Sequence, residues 1–239
     1  MRSVLIGLVA FSLLTAPALA ESVDLELVFA ADGSGSIDDS ELRLQRQGWA
    51  EALTSADVLS GIKDGPIGAI AVAFMEWGGP SSQVLIVDWH VIRDEASAKV
   101  FADKLMTAPR GAYGYNSISN AIDFSVRLVE TNAHEGTRKV IDVSGDGPNM
   151  NGRSLEQARA DALAKGFTIN ALAISRPGSG RPGGPGGMTL EDYYGRSVIG
   201  GPGSFVEIAD ETRPLAGAAR RKLLTEIAGT GGTSRHASR

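Results

Sequence analysis

The chain has 239 residues, 43% of them hydrophobic, with no cysteine and with 23 basic against 28 acidic side chains. This is enough for one domain with a full core. The lack of cysteine excludes thiolate metal sites, disulfides and thiol catalysis, and the net charge of −5 argues against nucleic acid and anionic lipid as partners.

Residues 1–20 read as a secretory signal peptide. Arg2 is the positive n-region, residues 4–14 are the apolar stretch, and Ala18-Leu19-Ala20 is the small-residue cleavage site before Glu21. The stretch is too short for a transmembrane span and no other long apolar run follows, so stable membrane insertion is not expected. The alternative is an uncleaved N-terminal anchor. The expected mature protein starts at Glu21, carries 22 basic against 28 acidic residues, and is periplasmic or secreted.

A first strand over 23–30 runs into Ala31-Asp32-Gly33-Ser34-Gly35-Ser36-Ile37-Asp38. A helix over 41–56 follows, with N-cap candidates at Asp38, Asp39 and Ser40 and an inward stripe of Leu42, Trp49, Ala52 and Leu53. Gly65-Pro66 breaks the chain before a nearly all-apolar second strand over 67–77, the pattern of a strand covered on both faces. The turn at Gly78-Gly79-Pro80 is short enough to force an antiparallel third strand over 83–92. A helix over 94–106 then leads to the loop 109–116 and a helix with Ile118, Ala121, Ile122, Ser125 and Val129 on one stripe.

The fourth strand, 139–143, ends in Ser144-Gly145-Asp146-Gly147-Pro148. A helix over 153–165 and a fifth strand over 168–174 come next. In the segment 177–187 nine of eleven residues are Gly or Pro, which predicts a mobile loop. A short helix over 189–196, a sixth strand over 205–208, a last helix over 215–227 and a flexible tail over 229–239 complete the reading, with one domain over 21–228. Strands alternating with helices after one early hairpin give an α/β domain with a mostly parallel sheet.

Ligands of such sheets bind at the carboxyl ends of the strands, where Asp32 and Asp146 fall. In an extended or turning backbone alternate side chains leave on one side, so Asp32, Ser34 and Ser36 can converge on a point. Their oxygens suit a hard divalent cation, Mg²⁺ first and Mn²⁺ or Ca²⁺ after it. The competing reading of Asp32, Ser34 and Ser36 is a turn and a helix cap; that of Asp146 is an Asp-Gly turn, and that of Asn116 a plain N-cap. Asp142, inside the fourth strand, is expected to be a buried charge paired with a neighbouring helix. His90 and His134 have no partner at metal-ligand spacing and read as strand and loop residues.

These residues resemble the von Willebrand factor A domain family. Its D-x-S-x-S metal-ion-dependent adhesion motif stands as Asp32-Gly33-Ser34-Gly35-Ser36. Its T-x-I-x-x-A-[IL] stands as Asn116-Ser117-Ile118-Ser119-Asn120-Ala121-Ile122, with Asn116 in the threonine's place, and its T-D-G as Ser144-Gly145-Asp146-Gly147. Within the family the chain is similar to a group of small, uncharacterised bacterial exported proteins. The resemblance implies a doubly wound six-stranded sheet of order 3-2-1-4-5-6 with strand 3 antiparallel and helices on both faces. It further implies a divalent ion on Ser34, Ser36 and either Asn116 or Ser117, held by Asp32 and Asp146 directly or through water. One open coordination position would take an Asp or Glu from a protein partner.

The expected function is therefore metal-dependent protein binding without catalysis. A metal-stabilised structural domain with no exchangeable ligand is the alternative, and a metal-dependent hydrolase a more remote one. The sequence holds no G-x-S-x-G elbow, P-loop or G-x-G-x-x-G. Tyr113 and Tyr115 flank the candidate site and are expected either to pack on a partner or to cover the domain's own edge. The 177–187 loop is expected on the same face.

Overall fold

A computed structural model describes residues 20–175 and 184–229. The predicted signal peptide, most of the Gly/Pro-rich loop and the tail beyond Gly229 lie outside the described residues. The central sheet has six strands: β2 (Leu25–Asp32), β3 (Ile70–Trp77), β4 (Gln83–Ile92), β6 (Lys139–Gly145), β7 (Thr168–Ile174) and β8 (Val206–Ala209). Their order is β4-β3-β2-β6-β7-β8, and every neighbouring pair is parallel except β3 with β4. This is the expected order and the expected single antiparallel strand.

Side chains of the two central strands alternate between two cores. Leu25, Leu27 and Phe29 pack with Trp49 and Leu53 of α1 (Asp39–Thr54), Val58 and Ile62 of α2 (Ala56–Lys63), Phe101 and Leu105 of α3 (Glu95–Thr107), and Leu223 of α7 (Leu215–Ala228). Val28 and Ala30, with Ile141 and Val143 of β6, face the other way. They pack on Ile118 and Ile122 of α4 (Ile118–Glu130), Ala162 of α5 (Leu155–Ala164) and Tyr194 of α6 (Leu190–Ser197). The period of two in the strands thus divides one apolar run between two helical layers.

Three local expectations are corrected. The first predicted strand is two: β1 (Glu21–Val23) pairs in parallel with β5 (His134–Gly136) in a separate small sheet. The break falls at Asp24, whose carboxylate accepts the backbone N–H groups of Ile67 and Gly68, drawing that residue out of the ladder. His134 accordingly lies in a strand, not a loop. The helix predicted over 41–56 ends at Thr54, and α2 is a separate helix after Ser55, which has extended backbone (ψ 143°) and whose hydroxyl donates to Ala52 O at 2.7 Å.

Candidate metal centre

Asp32 is the last residue of β2, and Asp146 follows the last residue of its neighbour β6. Because the two strands are parallel and adjacent, their carboxyl ends open on the same crevice. The Asp32-to-Ser36 segment turns sharply there: Asp32 Oδ1 accepts the Ser34 N–H at 2.8 Å, and Gly35 N–H reaches Gly114 O at 2.8 Å. The turn brings Ser34 Oγ within 3.0 Å of Ser36 Oγ, and Ser36 Oγ donates to Asp146 Oδ1 at 3.0 Å. Asp32, Ser34, Ser36 and Asp146 are therefore linked by hydrogen bonds across two strand ends, Asp32 through the Ser34 backbone N–H and the rest through side-chain oxygens.

Nothing among the described residues bonds to Asp32 Oδ2, although Asp32 is fully buried. Burial, and then the charge of Asp146, raises the Asp32 carboxyl from its ordinary 3.8 to about 7, against opposing hydrogen bonds from Ser34 and from the Asp146 backbone. A buried carboxylate beside a second acid, with one oxygen unsatisfied, is an arrangement that a cation relieves. Gly145 keeps this space open: a Cβ on it would stand 2.7 Å from Tyr194 Oη and 3.1 Å from Asp32 Oδ2.

The third segment arrives from the other side. Gly78 permits the closest approach, since a Cβ there would lie 2.1 Å from Tyr113 O, and Ser117 N–H donates to Gly78 O at 2.8 Å. Asn116 is buried and its Nδ2 lies over Gly147, 2.9 Å from where a Cβ on that glycine would stand. Its backbone carbonyl accepts the N–H of Met150 at 2.8 Å and of Asn151 at 3.1 Å, tying this loop to the one that carries Asp146. Ser117 Oγ is engaged elsewhere, 2.8 Å from Asn120 Oδ1 and 3.0 Å from Asn151 O. Tyr113 and Tyr115 stand exposed at the rim.

Several residues that the sequence reading passed over hold this geometry. Arg110 Nη2 lies 2.8 Å from Gly33 O, 2.9 Å from Ser34 O and 2.9 Å from Ile37 O, while Nη1 donates to Asp39 at 3.0 Å. One guanidinium thus pins the Asp32-to-Ser36 turn from beneath, a task suited to its rigid fork of donors. The stretch leading to Arg110 is fixed in turn by buried Arg46, which pairs with buried Glu76 and donates to Ala108 O and Pro109 O; Glu76 also accepts Gly111 N–H at 2.8 Å. On the Asp146 side, Tyr194 Oη donates to Gly147 O and Tyr193 Oη accepts from Asn149 N–H, both at 3.1 Å. Burial, then Asp32 and Asp146, push the Tyr194 hydroxyl well above its usual range, so it remains a donor. Glu76, a charge inside an apolar strand, was the one readable signal among these; an arginine in a loop (Arg110), one among the polar residues of α1 (Arg46) and tyrosines in a short helix carry none.

Asp142 meets its expectation: Lys222 Nζ of α7 sits 3.0 Å from Asp142 Oδ2 and 2.6 Å from Glu226 Oε1, all three side chains fully buried. Among the described residues no three of His, Cys, Asp and Glu gather as a metal cluster. The donors at Asp32 are instead two carboxylates with hydroxyls and an amide, hard oxygens that fit Mg²⁺, Mn²⁺ or Ca²⁺.

This fold, with its crevice at the ends of β2 and β6, is that of a von Willebrand factor A domain. The von Willebrand factor type A protein of Catenulispora acidiphila superposes with a TM-score of 0.56 at 14% identity, over 87% of this chain and 42% of that one. The pilus adhesin SpaC of Lactobacillus rhamnosus GG gives 0.57 at 14%, over 87% and 31%. Proximal thread matrix protein 1 of the mussel byssus, with a zinc-occupied MIDAS motif, gives 0.54 at 14%, over 88% and 46%. The chain spans less than half the length of each of these proteins. Residues 22–231 match the family described as "Protein of unknown function (DUF1194)", and the chain belongs to that family. No curated protein matches it.

Proposed function

We propose that the protein is an exported binding module that engages an Asp or Glu of a protein partner through a divalent cation, Mg²⁺ first among the candidates, and that it is not an enzyme. The observation that carries this reading is the Asp32–Ser34–Ser36–Asp146 chain, with Asp32 Oδ2 buried and unpartnered. The likeness to an adhesin, and to a protein with a metal-occupied motif of the same type, supports it. An exported location agrees with the signal-peptide reading and with the pilus adhesin as neighbour; no helix of the described residues is long and apolar enough to cross a membrane.

Ser34, Ser36, Asp32 and Asp146 would hold the ion, with Asn116 preferred as the further ligand because the Ser117 hydroxyl is already engaged. The bound ion supplies an electrophilic point for an incoming carboxylate. The chain's own residues do the rest: Arg110 fixes the turn, Tyr193 and Tyr194 fix the Asp146 loop, and the fixed loops spare the ordering cost on binding.

Calorimetric titration of Mg²⁺, Mn²⁺ and Ca²⁺ into the chelator-stripped domain tests the site, beside Asp32→Ala and Asp146→Ala. Saturable binding lost in both variants is expected; a wild type that takes up none of the three ions overturns the reading.

A further inference from the structure

Seven large apolar side chains are exposed among the described residues; Leu44 of α1 (58%), Ile67, Val84 and Val100 are scattered, and the three most exposed are gathered in one place. Tyr113, Tyr115 and Met150 are 60%, 78% and 64% exposed, and all three sit on the two loops that meet at Asn116. The first loop is joined to the Asp32-to-Ser36 turn through Gly35 N–H and Gly114 O, and the second through Met150 N–H and Asn116 O, each at 2.8 Å. The rim is therefore built on the loops that carry the candidate ligands. Tyr113 is also set in place by Arg110, whose guanidinium lies 5.0 Å from the ring centroid.

Charge is distributed with the same asymmetry. No charged residue occurs from Gly111 to Ile122, and none besides Asp146 from Ser144 to Gly152. Next to the Asp32-to-Ser36 turn the exposed start of α1 carries Asp38 and Asp39, and Asp39 pairs with Arg110, the same guanidinium that lies against Tyr113. With its two carboxylates neutralised by a dication, the crevice presents one electrophilic point beside a rim of Tyr113, Tyr115 and Met150, whose own loop segments carry no acid besides Asp146, and beside a helix start with an exposed Asp38. A polyacidic ligand would meet like charge at α1, whereas a single carboxylate with apolar neighbours meets complementary surface on the rim side.

Resting on the binding function argued above, we propose that the partner is a protein segment carrying one isolated Asp or Glu flanked by large apolar side chains. The carboxylate addresses the ion, and the flanking side chains pack on Tyr113, Tyr115 and Met150. Exposed tyrosine and methionine on preordered loops are the residue types that anchor such contacts. None of the three is among the candidate metal ligands, so the rim can be altered while the ion site is kept.

The test uses the mature domain in Mg²⁺ and fluorescent synthetic peptides with one Glu between Leu and Phe, one Glu between Gly and Ser, or a Glu within a run of Asp. Anisotropy is expected to show the Leu/Phe peptide binding about tenfold tighter than the other two, the size of a lost apolar anchor, and to lose all binding with chelator. The double variant Tyr115→Ala/Met150→Ala is expected to take up Mg²⁺ like the wild type by calorimetry and to bind the Leu/Phe and Gly/Ser peptides alike. Mg²⁺-dependent binding with no preference, a preference for the Asp-rich peptide, or a double variant that still discriminates sinks this inference and leaves the function standing. A wild type that binds no Mg²⁺, or peptides that bind equally well with chelator, removes both.

Discussion

Asp32 and Asp142 lie on neighbouring central strands, and both are fully buried. Asp142 points at Lys222 of α7, which also reaches Glu226, while Asn170 Nδ2 donates to Glu226 at 2.9 Å; the chain supplies the cation, although Asp142 Oδ1 and Glu226 Oε2 accept no hydrogen bond among the described residues. Asp32 faces another carboxylate, keeps one oxygen without a partner, and meets no lysine or arginine side chain in an ion pair among the described residues. Both carboxylates have oxygens without a hydrogen bond, but the counter-charge is supplied from within at one position and absent at the other. The difference separates a structural acid from a binding acid on the same sheet, although neither is distinguishable by its depth.

The comparison breaks first at Lys222. Replacing Lys222 with Met leaves two buried acids without a cation, and urea unfolding is expected to show a loss of roughly 3–5 kcal/mol. Adding Asp142→Asn and Glu226→Gln should recover most of that loss. A harmless Lys222→Met would mean that the internal pairing is not what sets the two aspartates apart.

Asp32→Asn should behave in the opposite way. It keeps the oxygen that accepts Ser34 N–H and removes the repulsion with Asp146, so the chelator-treated domain should melt no lower than the wild type. What it loses is the gain on adding metal, about 2.7 kcal/mol at a hundredfold excess over Kd. Differential scanning with and without Mg²⁺ reads both effects.

Arg110→Ala removes three carbonyl contacts beneath the turn. Mg²⁺ binding should weaken by about 1.5–3 kcal/mol, and Arg110→Lys should not restore it, because an ammonium lacks the planar fork. The pH dependence sharpens the contrast from the structural side. Burial drives Asp142 well above the ordinary carboxyl value of 3.8, with Lys222 opposing and Glu226 adding to the shift. The folded domain thus holds that proton more tightly than the unfolded chain. This contribution to stability is complete below 3.8 and is lost as pH rises through the raised folded value. Its slope cannot exceed about 1.4 kcal/mol per pH unit, and Asp142→Asn should flatten it in urea midpoints measured across pH.

The smallest effect is expected at Asp38, which caps α1 by accepting the N–H groups of Ser40 and Glu41. Asp38→Ala should cost about 1 kcal/mol of stability and leave Mg²⁺ affinity within twofold, checked by urea unfolding and titration. A large loss of affinity there would extend the ion site into the helix start.

What the sequence determined by itself is whatever is written in local periodicity and in chemistry that cannot hide. The apolar strands ending at Asp32 and before Asp146, the stripe Ile118–Ala121–Ile122–Ser125–Val129, and the antiparallel hairpin after Trp77 follow from side-chain alternation, helical spacing and a turn too short to cross over. The spacing of Asp32, Ser34 and Ser36 placed three oxygens on one turn, and a charge inside an apolar strand announced that Asp142 needed a partner. The tertiary structure alone decided which partner that would be. Lys222 lies 80 positions away on a helix whose local pattern gave no reason to turn a lysine inward. It also decided that Asp24 would leave the ladder, that Ser117 would turn to Asn120 and Asn151, and that Arg110 would sit beneath the turn. Each of these depends on which polar atoms remain unsatisfied after the layers have packed, and that requirement is set by the whole fold rather than by any stretch of the chain.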